Sequence, residues 1–260
     1  MFETTNCFLA MFDILGFKAL RKERGTNDLY MLYDRLILPS VQHSAALKGK
    51  SDGQGNFRPD FSDISVNYKI FSDTVIFYTK DNSFQSFVSI ISSSFSLLKS
   101  GIGGGNAPYR GAISYGDLID DQRGIFIGTA VEDAYQGETS QAWSGCMLTS
   151  DCERFAEDSR YIYIFKEFFQ SPALMVLDKK ISENLNLRSK CIVKYDVPMQ
   201  NNPKNSVIKY FTESHYVIDW TIKMYEGASK KAFNESNDSH AQRIQENTIA
   251  FENWARKNNR

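Results

Sequence analysis

Residues 8–20 read FLAMFDILGFKAL, an apolar run broken by one carboxylate, Asp13, and closed by Gly16. The nearly all-apolar segment CFLAMFD at residues 7–13 predicts a buried strand. Gly16 then turns the chain into FKALRKERG, which predicts a helix. An acid inside such a run is costly to bury unless a metal or a positive group pairs with it. A functional site should therefore begin at Asp13.

Working outward, apolar residues recur at helical spacing from Asn27 to Leu47 (Leu29, Leu32, Tyr33, Leu36, Ile37), with Pro39 expected to kink or split that helix. Lys48 to Pro59, with SDGQGN at its centre, reads as a polar loop. Ile64 to Phe71 and Thr74 to Thr79 are β-branched and aromatic runs flanking Ser72-Asp73, which predicts an antiparallel hairpin with Asp73 at its tip. Phe84, Phe87, Val88, Ile91, Phe95 and Leu98 fall at three- and four-residue steps, so Ser83 to Lys99 should be an amphipathic helix. The glycines at 101 and 103–105 follow a helix rather than a strand and lack the lysine and spacing of a phosphate loop, so they read as a linker.

Tyr109 to Tyr115 and Leu118 to Ile127 predict two strands separated by Gly116-Asp117, the second interrupted by a turn at Asp120 to Gly124, with Asp117, Asp120 and Asp121 marking turns. Ala130 to Cys152 reads most simply as one helix with a small-residue face. Strand-like segments follow at Arg160 to Phe165, Ala173 to Leu177, Cys191 to Val197 and Tyr216 to Trp220, and Ser239 to Arg260 ends the chain as a docked helix. This order predicts an α+β fold in which helices cover one face of an antiparallel sheet. A split β-α-β unit would set the first strand beside the later hairpin and bring Asp13 close to Asp73.

The 260 residues are 42% hydrophobic, ample for a packed core. A net charge of −1 from 30 basic and 31 acidic residues supplies no global field for nucleic acid, so an anionic ligand must be held locally. Cys7, Cys146, Cys152 and Cys191 lack metal-ligand spacing and read as buried thiols in a reducing compartment. His43, His215 and His240 stand far apart with no motif around them. The first apolar segment has no basic leader and is interrupted by Asp13, which points to a cytoplasmic protein without membrane partners.

FDILGF, KIFSD and YRGAISYGDL, taken in this order across roughly residues 6–150, resemble the metal strand, the second metal hairpin and a later strand of the class III nucleotidyl cyclases. GTAVEDAYQGETSQAWSG and the terminal pattern YDVP…YVIDW…QENTIAF resemble more closely the pyrimidine cyclases of the Pycsar anti-phage system. The resemblance implies a ferredoxin-like βαββαβ catalytic core at residues 1–155 and an extension at 156–260 that completes the sheet and ends in a docked helix. It implies a homodimer with composite sites, in which Asp13 and Asp73 hold two divalent ions (Mn²⁺ or Mg²⁺) with help from the Ile14 carbonyl. Gly16, Phe17 and Lys18 would wrap the triphosphate, and Lys69 and Phe71 would lie near the base. Arg110 would stabilise phosphate charge, or else form a structural salt bridge. The implied reaction converts UTP to 3′,5′-cyclic UMP and pyrophosphate, a signal sensed by a downstream effector rather than passed on by direct binding. CTP, a purine triphosphate, or a module that only binds nucleotide are the alternatives.

The sequence also departs from the purine cyclases. Glu132 and Gln136 fall where those enzymes carry an asparagine and an arginine, and Ile125 falls where an aspartate accompanies the base-reading lysine. The usual recognition of adenine is thus incomplete in sequence, which favours another base.

Overall fold

The apolar run forms the middle of strand β1 (Thr5–Ile14), and its alternation decides which side of the sheet each residue faces. Phe8, Ala10, Phe12 and Ile14 enter the main core, whereas Cys7, Leu9 and Met11 enter a smaller cluster on the opposite side. By the same parity Asp13 belongs to the second face. The computed structural model describes residues 4–23, 25–46, 49–51, 57–59, 66–105, 107–121, 123–157, 191–201, 208–222, 224–233 and 238–258. The segments at Arg160 to Phe165 and Ala173 to Leu177 lie outside these residues.

β1 is flanked by β5 (Thr74–Tyr78) and β6 (Tyr109–Asp120), both antiparallel to it. β4 (Asn67–Phe71) closes the hairpin with β5 through the two-residue turn Ser72-Asp73. On the other side β6 pairs in parallel with β8 (Cys146–Leu148), and the hairpin of β9 (Ile192–Gln200) and β10 (Tyr210–Ile218) extends the sheet from there. The strand order is β4-β5-β1-β6-β8-β10-β9, with β7 (Phe126–Ile127) on the end of β6. Within the stretch read as a polar loop, β2 (Gly49–Ser51) and β3 (Phe57–Pro59) form a separate two-stranded sheet.

On the core face, α4 (Phe84–Ser100) packs Phe87, Ile90, Ile91 and Phe95 against the phenylalanines of β1, and the Ser83 hydroxyl accepts from the Ser86 N–H to cap its start. The helical stretch read from 27 to 47 is α2 (Thr26–Leu32), a π-helical turn (Tyr33–Ile37) and α3 (Leu38–Ala45). Pro39, in the first turn of α3, has no N–H to give to the preceding turn, and the wider turn just before it takes up that mismatch without a break.

Three further differences come from tertiary contacts. α5 (Thr129–Thr139) lies on the second face, burying Ala130 and Ala134 against Cys7, Leu9 and Met11, so helices occupy both sides. Gly116 lets it do so, because a Cβ there would stand 2.8 Å from the Ala130 nitrogen. β6 consequently runs straight through Gly116-Asp117 instead of turning, and Asp117 accepts hydrogen bonds from the Thr129 N–H and hydroxyl at the start of α5. The helix read from Ala130 to Cys152 ends at Thr139, because residues 140–142 pair with β9: Gln200 N–H donates to Ser140, and Ala142 N–H to Pro198. β8 and α6 (Ser150–Glu157) then follow.

The short helix α7 (Ala228–Ala232) and the 20-residue helix α8 (Ser239–Asn258) close the fold. Phe251 of α8 is fully buried between Trp143, Tyr195 and Trp220 at ring separations of 4.7, 4.9 and 5.8 Å. All four cysteines are free and buried, as read from the sequence. Among the described residues no helix is long and apolar enough to cross a membrane.

Candidate functional site

Asp13 sits one residue before the end of β1, where it pairs with Thr74 of β5 on one side and with Arg110 of β6 on the other. Phe71 pairs with Thr74 in turn, so Phe71, Thr74, Asp13 and Arg110 share one face of the sheet. The Ile14 N–H donates to the Asp73 carbonyl at 3.1 Å and ties the hairpin tip to the end of β1. The Asp73 tip is thus held against the end of β1, and its charge is near enough to act on Asp13.

Beyond Ile14 the Leu15 N–H donates to Pro108, and Gly16 at φ +81° reverses the chain, a conformation that costs a residue without Cβ nothing. The Ala19 and Leu20 N–H groups return to the Gly16 carbonyl and start α1 (Phe17–Glu23). Phe17 is buried with its ring 6.1 Å from that of Tyr33, while Lys18 is exposed and its charge acts on Asp13.

Arg110 is held from three sides. Its Nε lies 2.6 Å from a Glu138 carboxylate oxygen, one terminal nitrogen donates to the Gln141 carbonyl at 3.1 Å, and the other stands 3.8 Å from Asp13. Glu138, at the end of α5, is 4% exposed. Sequence reading passed over it, since a glutamate 28 positions from its partner carries no local signal. Gly111, the next residue of YRGAISYGDL, has the Met11 carbonyl 2.7 Å from where a Cβ would be, so it serves strand packing rather than a ligand.

This geometry sets the electrostatics. Burial, reinforced by the Glu138 charge and then by Asp73, pushes the Asp13 carboxyl up to about 7, although Arg110 and Lys18 pull the other way. Burial also raises Glu138, against the pull of Arg110. The positive charge supplied by the chain therefore does not match the negative charge gathered there. Among the described residues no group of three or more histidine, cysteine or acidic side chains is arranged to hold a metal ion. A Mg²⁺-type site needs fewer: one or two carboxylates, with the remaining positions filled by substrate phosphates and water. Asp13, Asp73 and the Ile14 carbonyl fit that donor set.

Asp13 also predicts a pH effect. Its carboxyl is raised from 3.8 unfolded to about 7 folded, so the folded chain binds the proton more tightly between those values. The stability this contributes is full below about pH 3.8 and lost as the pH rises through about 7. In metal-free buffer the melting temperature of Asp13→Asn should exceed that of the wild type by a margin that grows across this window and then levels off. Mn²⁺ should stabilise the wild type more at pH 8 than at pH 5.

Lys69 stands apart from the acids. Its ammonium donates to Asp120 at 2.7 Å and lies 4.8 Å from the centre of the Phe126 ring, while the Tyr78 hydroxyl donates to the other Asp120 oxygen at 2.5 Å. Burial pushes Asp120 up, but the Lys69 and Tyr78 hydrogen bonds outweigh it and hold the carboxyl below its usual value. Asp120 is therefore the end of a strand and the partner of a lysine, not a turn residue. Asp121 does mark a turn, accepting from the Arg123 and Ile125 N–H groups. Phe71 is 79% exposed, and Ile125, Glu132 and Gln136 are exposed as well.

No family model matches the sequence, and no curated protein matches it. Among solved structures, the chain is similar to the catalytic core of a rhodopsin-guanylyl cyclase with converted specificity in complex with ATPαS, at 10% identity over 83% of this chain and 99% of that one, with a TM-score of 0.51. It also matches the monomeric guanylyl cyclase domain of the RhoGC fusion protein from the aquatic fungus Blastocladiella emersonii, at 12% identity over 60% of this chain and 88% of that one (TM-score 0.48). A third match is a class III adenylyl cyclase-like ATP-binding protein from Pseudomonas aeruginosa, at 9% identity over 70% of this chain and 44% of that one (TM-score 0.42). The first likeness shows the fold to be that of a nucleotide-cyclase catalytic core.

Proposed function

We propose that this chain is a metal-dependent nucleotide cyclase that converts UTP to 3′,5′-cyclic UMP and pyrophosphate. The observation that carries the cyclase reading is the junction of β1 with the β4–β5 turn, where Asp13 and Asp73 meet on a cyclase-core fold beside the Gly16 turn. Mn²⁺ or Mg²⁺, when bound, would neutralise phosphate charge and polarise the attacking and leaving oxygens.

In this reading Asp13, Asp73 and the Ile14 carbonyl hold the ions, and the turn through Gly16, Phe17 and Lys18 wraps the triphosphate. The ribose O3′ forms a bond to the α-phosphorus as the bond to the pyrophosphate oxygen breaks, and the O3′ proton leaves to solvent. The chain need supply only position and charge. Arg110, gripped by Glu138 and Gln141, serves better as a fixed counter-charge beside Asp13 than as a group free to follow the phosphates. Lys69 and Phe71 lie toward the base. Exposed Phe71 on the site face is suited to the interface of a homodimer with composite sites. Residues 1–155 would carry catalysis, with 156–260 as the extension.

The pyrimidine preference is supported by apolar Ile125 at the position of the purine cyclases' aspartate, and by the resemblance to the Pycsar cyclases, from which the role in phage defence and the cytoplasmic location also follow. One observation favours a purine instead. Lys69 does have a carboxylate partner, Asp120, drawn from a different position of the chain. Incubating the purified protein with UTP, CTP, ATP and GTP in Mn²⁺ separates the readings. Cyclic UMP as the main product supports the proposal, preferential cyclisation of ATP or GTP assigns the lysine and its acid to a purine, and no product from any of the four overturns the enzyme.

A further inference from the structure

The turn that carries Asp73 is held in a conformation its own sequence does not favour. Ser72 has φ +53°, and it is the only non-glycine residue at positive φ among those described. Such backbone costs a residue with a Cβ on the order of 1 kcal/mol, and it persists only where the surroundings enforce it. Two contacts do so here. The Ile14 N–H of β1 holds the Asp73 carbonyl, and the Tyr33 hydroxyl donates to the Ser72 carbonyl.

Tyr33 opens the π-helical turn between α2 and α3, where the Leu38 N–H reaches back five residues to its carbonyl. Single π-turns inside α-helices are frequent at functional sites. Its ring is fixed edge-on against Phe17, which itself follows the Gly16 turn. A second contact ties the same helical stretch to the same hairpin, since the Gln42 amide donates to the Tyr68 hydroxyl at 3.2 Å. Burial, then Asp73 and Asp13, push the Tyr33 phenol up to about 12, so it keeps its proton and remains a donor.

We propose that Tyr33 is a positioning residue that braces the Ser72-Asp73 turn, fixing the direction of the Asp73 carboxylate relative to Asp13. The inference rests on the cyclase reading for its consequence, but the brace itself does not. Removing only the phenol oxygen leaves the turn free to relax toward negative φ and turns Asp73 away from its partner. Glycine at position 72 adopts positive φ without cost, so it should hold the turn with less need of the brace.

The test compares wild type, Tyr33→Phe and Tyr33→Phe/Ser72→Gly by two measurements. Peptide-level hydrogen exchange reports the turn whether or not the chain is an enzyme, and electron paramagnetic resonance of free Mn²⁺ reports the ion's dissociation constant. The loss of one hydrogen bond should speed exchange at residues 71–76 by about tenfold in Tyr33→Phe and weaken Mn²⁺ by a similar factor, with other core peptides unchanged. The double variant should recover most of the Mn²⁺ affinity. Unchanged exchange at 71–76, exchange raised uniformly across the chain, or no recovery with glycine would each overturn the brace. A wild type that binds no Mn²⁺ without triphosphate would leave the exchange measurement alone to decide for or against the brace, while turnover of the four triphosphates decides the cyclase reading.

Discussion

Asp73→Asn and Asp13→Asn should each slow triphosphate cyclisation by about three orders of magnitude or more, because each removes a charge worth several kcal/mol to the transition state. Both proteins should stay folded. Asp13→Asn should even gain stability in metal-free buffer at neutral pH, since burial, Glu138 and Asp73 all oppose the charged carboxyl it removes. The combination of lost turnover and undiminished melting temperature separates a ligand-holding acid from a structural cap, whose loss would lower stability and spare the chemistry. Single-turnover assays with Mn²⁺, read beside thermal melts, check it. Asp73→Asn within tenfold of the wild type would rule out the two-carboxylate site.

The second large effect concerns Glu138. Its ion pair with Arg110 is nearly sealed from water, the side chains being 5% and 12% exposed. Glu138→Ala should cost about 1–3 kcal/mol, because it strips the buried Nε–H of Arg110 of its partner while the Gln141 carbonyl and Asp13 still face the other two nitrogens. An apolar replacement of both partners, Arg110→Met with Glu138→Leu, should recover most of that loss. If the pair serves only the fold, the double variant should also turn over normally. If Arg110 supplies the counter-charge beside Asp13, it should be stable and slow. Urea denaturation of both proteins, with turnover measured on the double variant, distinguishes these outcomes. A Glu138→Ala protein within 1 kcal/mol of the wild type would contradict the buried pairing.

What the sequence disclosed and what it withheld divide along the range of the contacts involved. The Ser72-Asp73 hairpin tip was legible because two β-rich runs flank two turn residues, and the β1 strand was legible because its pattern is local. Gly116-Asp117 looked like a turn for the same local reason, yet Gly116 is there to admit α5 and Asp117 to cap it. The long helix read past Thr139 failed because pairing of residues 140–142 with β9 overrode the propensity of their small side chains. The Lys69–Asp120 and Arg110–Glu138 pairs span 51 and 28 positions, and no periodicity carries such information. Arg110 itself was legible as important, but only the structure shows how firmly it is held.

The alternation along β1 has one more consequence, which concerns how this chain can change over time. Phe12 and Asp13 are neighbours on opposite faces, one in the phenylalanine core and the other beside Arg110. Inserting or deleting a single residue between Thr5 and Phe12 would exchange those faces, either sending the carboxylate into the core or forcing the strand out of its pairing with both neighbours. Substitution in β1 is therefore graded by size and polarity, while a change of its length by one is all-or-none. Descendants of this chain should vary in β1 by replacement alone and keep their insertions for the loops around it.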